Sequence, residues 1–117
     1  MINAFAHPLD EFFDMGGRQF VVRIVDTFSE NVERQYAAAG NAVLQSNWSV
    51  VAQIGHTLRS SAATVGAPVI AMKFHHLEQA ALNEDAAAVA ALLRVIHSLT
   101  VQWRQDAYAY LARSDRA

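Results

Sequence analysis

The chain has 117 residues, enough for one domain and too few for two ordinary ones. With 53% apolar and 17% charged residues it is not a disordered tail, and a net charge of −2 with a pI near 6.2 excludes the basic footprint of a nucleic-acid binder. It has no cysteine, which excludes disulfide and thiolate chemistry.

Alanine is abundant, and two prolines and five glycines leave few helix breakers. The punctuation His7-Pro8, Gly16-Gly17, Ser46-Asn47, Gly66-Ala67-Pro68 and Asn83-Glu84-Asp85 divides the chain into one short and four longer helical segments. The short one is expected over about 9–15 and includes Phe12 and Phe13. The second is expected over about 18–45, where Val21, Val25, Phe28, Val32, Tyr36, Ala39 and Val43 recur at three- and four-residue spacing. Gly40-Asn41 is its weak point. The third, about 48–65, has Asn47 as a suitable N-cap and Gly66 as a suitable residue beyond its end. Pro68 suits the first turn of the fourth, about 68–82. Asn83 can cap the fifth, about 84–112, whose stripe reads Val89, Leu92, Ile96, Leu99, Trp103 and Tyr110. Short connections make successive long helices antiparallel neighbours. The expected fold is therefore all-α: a single domain over 1–117, an up-down-up-down four-helix bundle with the short N-terminal helix as a lid. No secretory leader and no apolar run long enough to span a bilayer is apparent, so a soluble cytoplasmic protein with no membrane partner is expected.

The third helix holds the most informative residue. Steps of about 100° per residue put Val51, Leu58, Ala62 and Val65 on one stripe and His56 roughly 140° away from it. Ser49, Ala52, Arg59, Ser60 and Ala63 share the side of His56. Taken alone, a histidine on a helix surface is usually an ordinary polar surface residue. This one has a cation three residues on and small residues around it, as a phosphoryl-accepting imidazole would need.

The stretch His56-Thr57-Leu58-Arg59-Ser60-Ser61-Ala62-Ala63-Thr64-Val65-Gly66-Ala67, with Leu77-Glu78 downstream, resembles the phosphorylation motif of histidine-containing phosphotransfer (HPt) domains. That family's pattern is roughly His-x-Leu-Lys-Gly-Ser-(Ser/Ala)-x-x-x-Gly-Ala, followed by a helix with Leu-Glu. Leu9-Asp10 before a short helix, Asn47-Trp48 ahead of the histidine, and the closing helix match in order and length, so the resemblance covers nearly the whole chain.

The resemblance implies a phosphoryl carrier, not an independent enzyme. His56 would accept a phosphoryl group from an aspartyl phosphate on one receiver domain and pass it to a response-regulator aspartate. The partners implied are the receiver domains of a sensor kinase and of a response regulator. No cofactor of its own is implied, and Mg²⁺ would come with the receiver. A monomer is expected.

Glu78 stands where the family places the residue that orients the imidazole, its plain alternative being an exposed helix carboxylate. Arg59 replaces the usual lysine and would offset phosphoryl charge, its alternative being an ordinary surface arginine. Ser60 departs from the family glycine and could crowd a partner or donate to a phosphoryl oxygen. It keeps open a second reading: a degenerate module of the same fold that docks receivers, or another partner, without being phosphorylated.

Phe12, Phe13, Phe20 and Ile24, with Ala52, Gln53 and Ala63, are the candidate docking residues. The alternative is that the short helix consumes the four large ones in its own packing. His75-His76 with Glu78 is not a metal site by itself, since adjacent helical histidines point about 100° apart. No glycine-rich phosphate loop is apparent, so ATP binding and autonomous kinase activity are not expected.

Overall fold

A computed structural model describes residues 7–116. Four helices account for most of them: α1 (Asp10–Leu44), α2 (Trp48–Thr64), α3 (Pro68–Leu82) and α4 (Ala86–Arg113). Each packs on its neighbours in sequence, and α4 closes the ring on α1, which makes an up-down-up-down bundle.

The short N-terminal helix and the second helix are one 35-residue element kinked at Gly17. Gly17 has φ 75° and ψ −170°, a region open essentially to glycine. The kink turns the first two turns of α1 onto the far end of the bundle. There Leu9, Phe13, Val21 and Val25 bury themselves with Ala107 and Leu111 of α4. Arg18 ties down the same end by donating to the carbonyls of Leu111, Ser114 and Arg116. Beyond this region α1 runs helically through Gly40 to Leu44.

The three turns between helices share one capping pattern. In each, a residue of positive φ (Ser46, Gly66 or Glu84) follows the C-cap, and two amides reach back to the last turn. After α2, Gly66 N–H donates to Ala63 O and Ala67 N–H to Ala62 O. Gly66 is required twice over: its φ is 77°, and a Cβ there would overlap Pro8.

Two sequence expectations are corrected here. Asn83 belongs to the end of α3 as its C-cap, because Glu84 takes up the left-handed position of the turn. The N-cap of α4 is Asp85, whose carboxylate accepts from Ala88 N–H at 3.1 Å. Asn47 is the N-cap residue of α2, but its side chain makes no cap bond and accepts from Ser49 Oγ instead.

The main core lies among all four helices and includes Phe28, Val51, Leu58, Ile70, Phe74, Leu77, Val89 and Ile96. On α4 the buried line is Val89, Leu93, Ile96, Thr100, Ala107 and Leu111. Leu92, Leu99, Trp103 and Tyr110 are half-buried beside it. The buried hydroxyls of Ser29 and Thr100 donate to the carbonyls of Val25 and Ile96, one turn back. By length and composition α4 is also apolar enough to cross a membrane, against the expectation that no run is. Its alanines raise the hydropathy, and one of its faces is spent in the bundle core.

Candidate functional site

The site begins with a glycine. Gly55 sits inside α2, where glycine weakens a helix by roughly 0.5–1 kcal/mol relative to alanine. A Cβ at Gly55 would stand 2.8 Å from the Phe74 carbonyl oxygen and 2.9 Å from the Glu78 amide nitrogen. Its bare Cα therefore lets the backbone of α3 lie directly against α2, which brings Glu78 beside His56. The role of Gly55 is not among the sequence expectations. The available signal was a glycine inside an otherwise apolar helical stripe, which often marks close backbone approach.

His56 points away from the core, with its side chain 66% exposed, as the helical spacing predicts. Its Nδ1 lies 3.1 Å from Glu78 Oε2, and the Glu78 side chain is 21% exposed. An ionised carboxylate can only accept, so Nδ1 carries the hydrogen of this bond. In the neutral ring Nε2 then keeps its lone pair, on a side chain that is largely exposed. Such an arrangement could hold one tautomer and leave the second ring nitrogen as a nucleophile. A carboxylate on the opposite ring nitrogen also increases electron density at Nε2, as it does for metal-binding histidines.

Arg59 is exposed and one turn from His56 on α2. Its Nη1 lies 3.0 Å from His75 Nδ1 on α3, so it is His75 that Arg59 bonds. Nothing in the sequence pairs His75 with Arg59. The rings of His75 and His76 are 6.2 Å apart, and among the described residues no group of three or more His, Asp or Glu is placed to hold a metal ion. Ser60 is exposed on the opposite side of α2 from His75, on a groove of about 480 Å³ between α1 and α2. Its carbonyl accepts from Thr64 Oγ1.

The expected docking residues divide. Phe20 and Ile24 are half-buried and line the α1–α2 groove with Arg23, Arg34, Ser60 and Ser61. Phe12 packs edge-on against Phe20, with ring centroids 6.1 Å apart. Gln53 is exposed and donates to Thr57 Oγ1. Ala63 is exposed on the other side of α2, in a groove of about 570 Å³ that Arg59 and His75 also line. Two residues are corrected. Phe13 is 5% exposed because the kink at Gly17 turns it into the core against Val21 and Leu111. Ala52 is 7% exposed because it lies on the side of α2 that α3 covers, one turn before Gly55. Neither is available to a partner in this structure.

A sequence profile described as the Hpt domain matches residues 23–109. The fold is similar to the crystal structure of histidine-containing phosphotransfer protein B (HptB) from Pseudomonas aeruginosa PAO1. That similarity has a TM-score of 0.63 at 17% identity, over 85% of this chain and 91% of that one. At this identity the likeness concerns the fold. No curated protein sequence matches.

Proposed function

Because the chain belongs to the Hpt domain family, whose members work with receiver domains in two-component phosphorelays, we propose that it relays a phosphoryl group through His56. The lone pair of His56 Nε2 attacks the phosphorus of an aspartyl phosphate on a receiver. The N–P bond forms as the P–O bond to the aspartyl carboxylate breaks. With hydrogen already on Nδ1, the phosphorylated ring is cationic, and the Glu78 carboxylate at 3.1 Å stabilises it. The aspartate of a second receiver then attacks the same phosphorus and restores the neutral ring.

One observation supports this reading above the others: His56 combines an Nδ1 held against Glu78 with a largely exposed ring. The transfer needs positioning and charge stabilisation more than covalent help from this chain. Arg59 supplies a cation one turn away. The receiver brings Mg²⁺ and its own aspartate. The α1–α2 groove, which apolar Phe20 and Ile24 line together with Arg23 and Arg34, is the surface on which the receiver docks. We read the chain as a monomeric cytoplasmic carrier, not a kinase.

Ser60 favours a second reading, since it puts a side chain on the rim of that groove where the family pattern has none. On that reading the chain docks receivers without accepting phosphate. Incubation with phosphorylated receivers separates the two. Acid-labile phosphate on the chain supports the relay, and binding with no such phosphate supports the docking module.

A further inference from the structure

We propose that His75 is a positioning residue that holds the Arg59 guanidinium in place beside the phosphoryl site. The inference rests on the reading of His56 as phosphoacceptor. The helices α2 and α3 run antiparallel, and two cross-helix pairs stand one turn apart. His56 meets Glu78, and three residues along on each helix Arg59 meets His75. The second pair is a rung below the first.

The chemistry of this rung is directional. Arginine has only donors, so the 3.0 Å contact makes His75 Nδ1 the acceptor. His75 then carries its ring hydrogen on Nε2. The bond occupies one N–H of the guanidinium and leaves the others free for phosphoryl oxygens. His75 is half-buried on α3, whereas Arg59 is exposed. Unheld, an exposed arginine would sample many rotamers in solvent. Held by His75, with its stem along the groove of Ala63, Ala71 and Met72, it keeps its charge one turn from His56. Sequence spacing alone gives Arg59 no such partner, because the partner comes from the register that Gly55 permits.

Three variants test this. His75→Phe keeps an aromatic ring and removes the acceptor. His75→Asn places an amide oxygen near the position of Nδ1. Phosphoryl transfer from a phosphorylated receiver is expected to slow on the order of three- to tenfold in His75→Phe, the range for one lost hydrogen bond. It is expected to recover most of the parent rate in His75→Asn. In an Arg59→Ala background, His75→Phe is expected to cause no further slowing. The side-chain NMR signals of Arg59 give a readout that needs no phosphate: exchange-protected N–H in the parent and in His75→Asn, averaged signals in His75→Phe. Parent-like rate and Arg59 signals in His75→Phe would overturn the proposal. So would equal slowing with and without Arg59, which would mean that His75 acts through packing. The control is His56→Gln: labelling that persists there overturns the phosphoacceptor reading, whereas its loss alongside an indifferent His75→Phe overturns only the role of His75.

Discussion

Gly55 and Glu78 touch where α2 and α3 pack backbone to backbone, and a Cβ on Gly55 would lie 2.9 Å from the Glu78 amide nitrogen. The backbone contact and the hydrogen bond to His56 are consequences of the same register. Both obstructing atoms belong to backbone, so an added methyl cannot be relieved by a rotamer change. Overpacking of this kind costs about 1–3 kcal/mol, more than the roughly 0.5–1 kcal/mol that alanine returns as helix propensity. Gly55→Ala is expected to lower Tm and to slow phosphorylation of His56. Thermal unfolding and transfer assays on the same variant check it, and an unchanged rate would separate helix spacing from the site.

On the proposed reading, Glu78 acts on the tautomer of His56. With the carboxylate removed in Glu78→Ala, nothing on α3 selects Nδ1–H, and the ring is expected to distribute its hydrogen between both nitrogens. Imidazole ¹⁵N shifts of His56 report this directly. The transfer rate is expected to fall with the share of Nε2 lone pair, together with the lost support for the cationic product. Shifts identical to those of the parent would remove Glu78 from the site.

Ser60 presents two opposed effects. Its Cβ and hydroxyl lie on the rim of the α1–α2 groove. If the bulk crowds the receiver, Ser60→Gly speeds transfer in spite of a helix cost of roughly 0.5–1 kcal/mol. If the hydroxyl donates to phosphate, Ser60→Ala slows transfer, since it keeps the Cβ and removes only the donor. We expect the first result. Rates unchanged in both variants would mean that position 60 is neutral.

His7 gives the fold a pH dependence apart from the site. Its ring stacks on Tyr110 at 3.8 Å, and its Nδ1 accepts from Leu9 N–H. Burial holds its imidazole below the ordinary value of 6.5, against the pull of Asp10 and with the help of Arg113. The unfolded chain therefore takes up the proton first as pH falls, near 6.5, while the folded chain resists. The stability His7 contributes is full above that pH and is lost as pH drops through it towards the lower folded value. His7→Phe keeps the stacking and removes the titration. The urea midpoint is expected to fall less between pH 7 and pH 5 in that variant than in the parent, and equal slopes would contradict the assignment.

The α2 stripe was legible because Val51, Leu58, Ala62 and Val65 are apolar at helical spacing and all are buried. On α4 the spacing found Val89 and Ile96, which are buried, but set the rest of the stripe to one side of the buried line. Bulky Leu92, Leu99 and Trp103 drew the stripe to their side, while the buried line runs through Thr100 and Ala107, whose side chains are too small or too polar to announce burial. Thr100 hides its hydroxyl in its own helix, which no hydropathy pattern reveals. The exposure of His56 follows from one helix alone and could be read. The contacts of Gly55 with Glu78 and of Arg59 with His75 depend on how two helices align, and that is set by packing across the whole bundle.

The most direct test is phosphate on His56 itself. The parent chain and His56→Gln are each incubated with a phosphorylated receiver domain and Mg²⁺, and acid-labile phosphate is measured and located by peptide mapping. His56 is exposed, so the substitution is expected to change stability by no more than about 0.5 kcal/mol. Phosphorylation at His56 predicts acid-labile phosphate on the parent and none on the variant. Label that persists in His56→Gln, on His75, His76 or elsewhere, would contradict it.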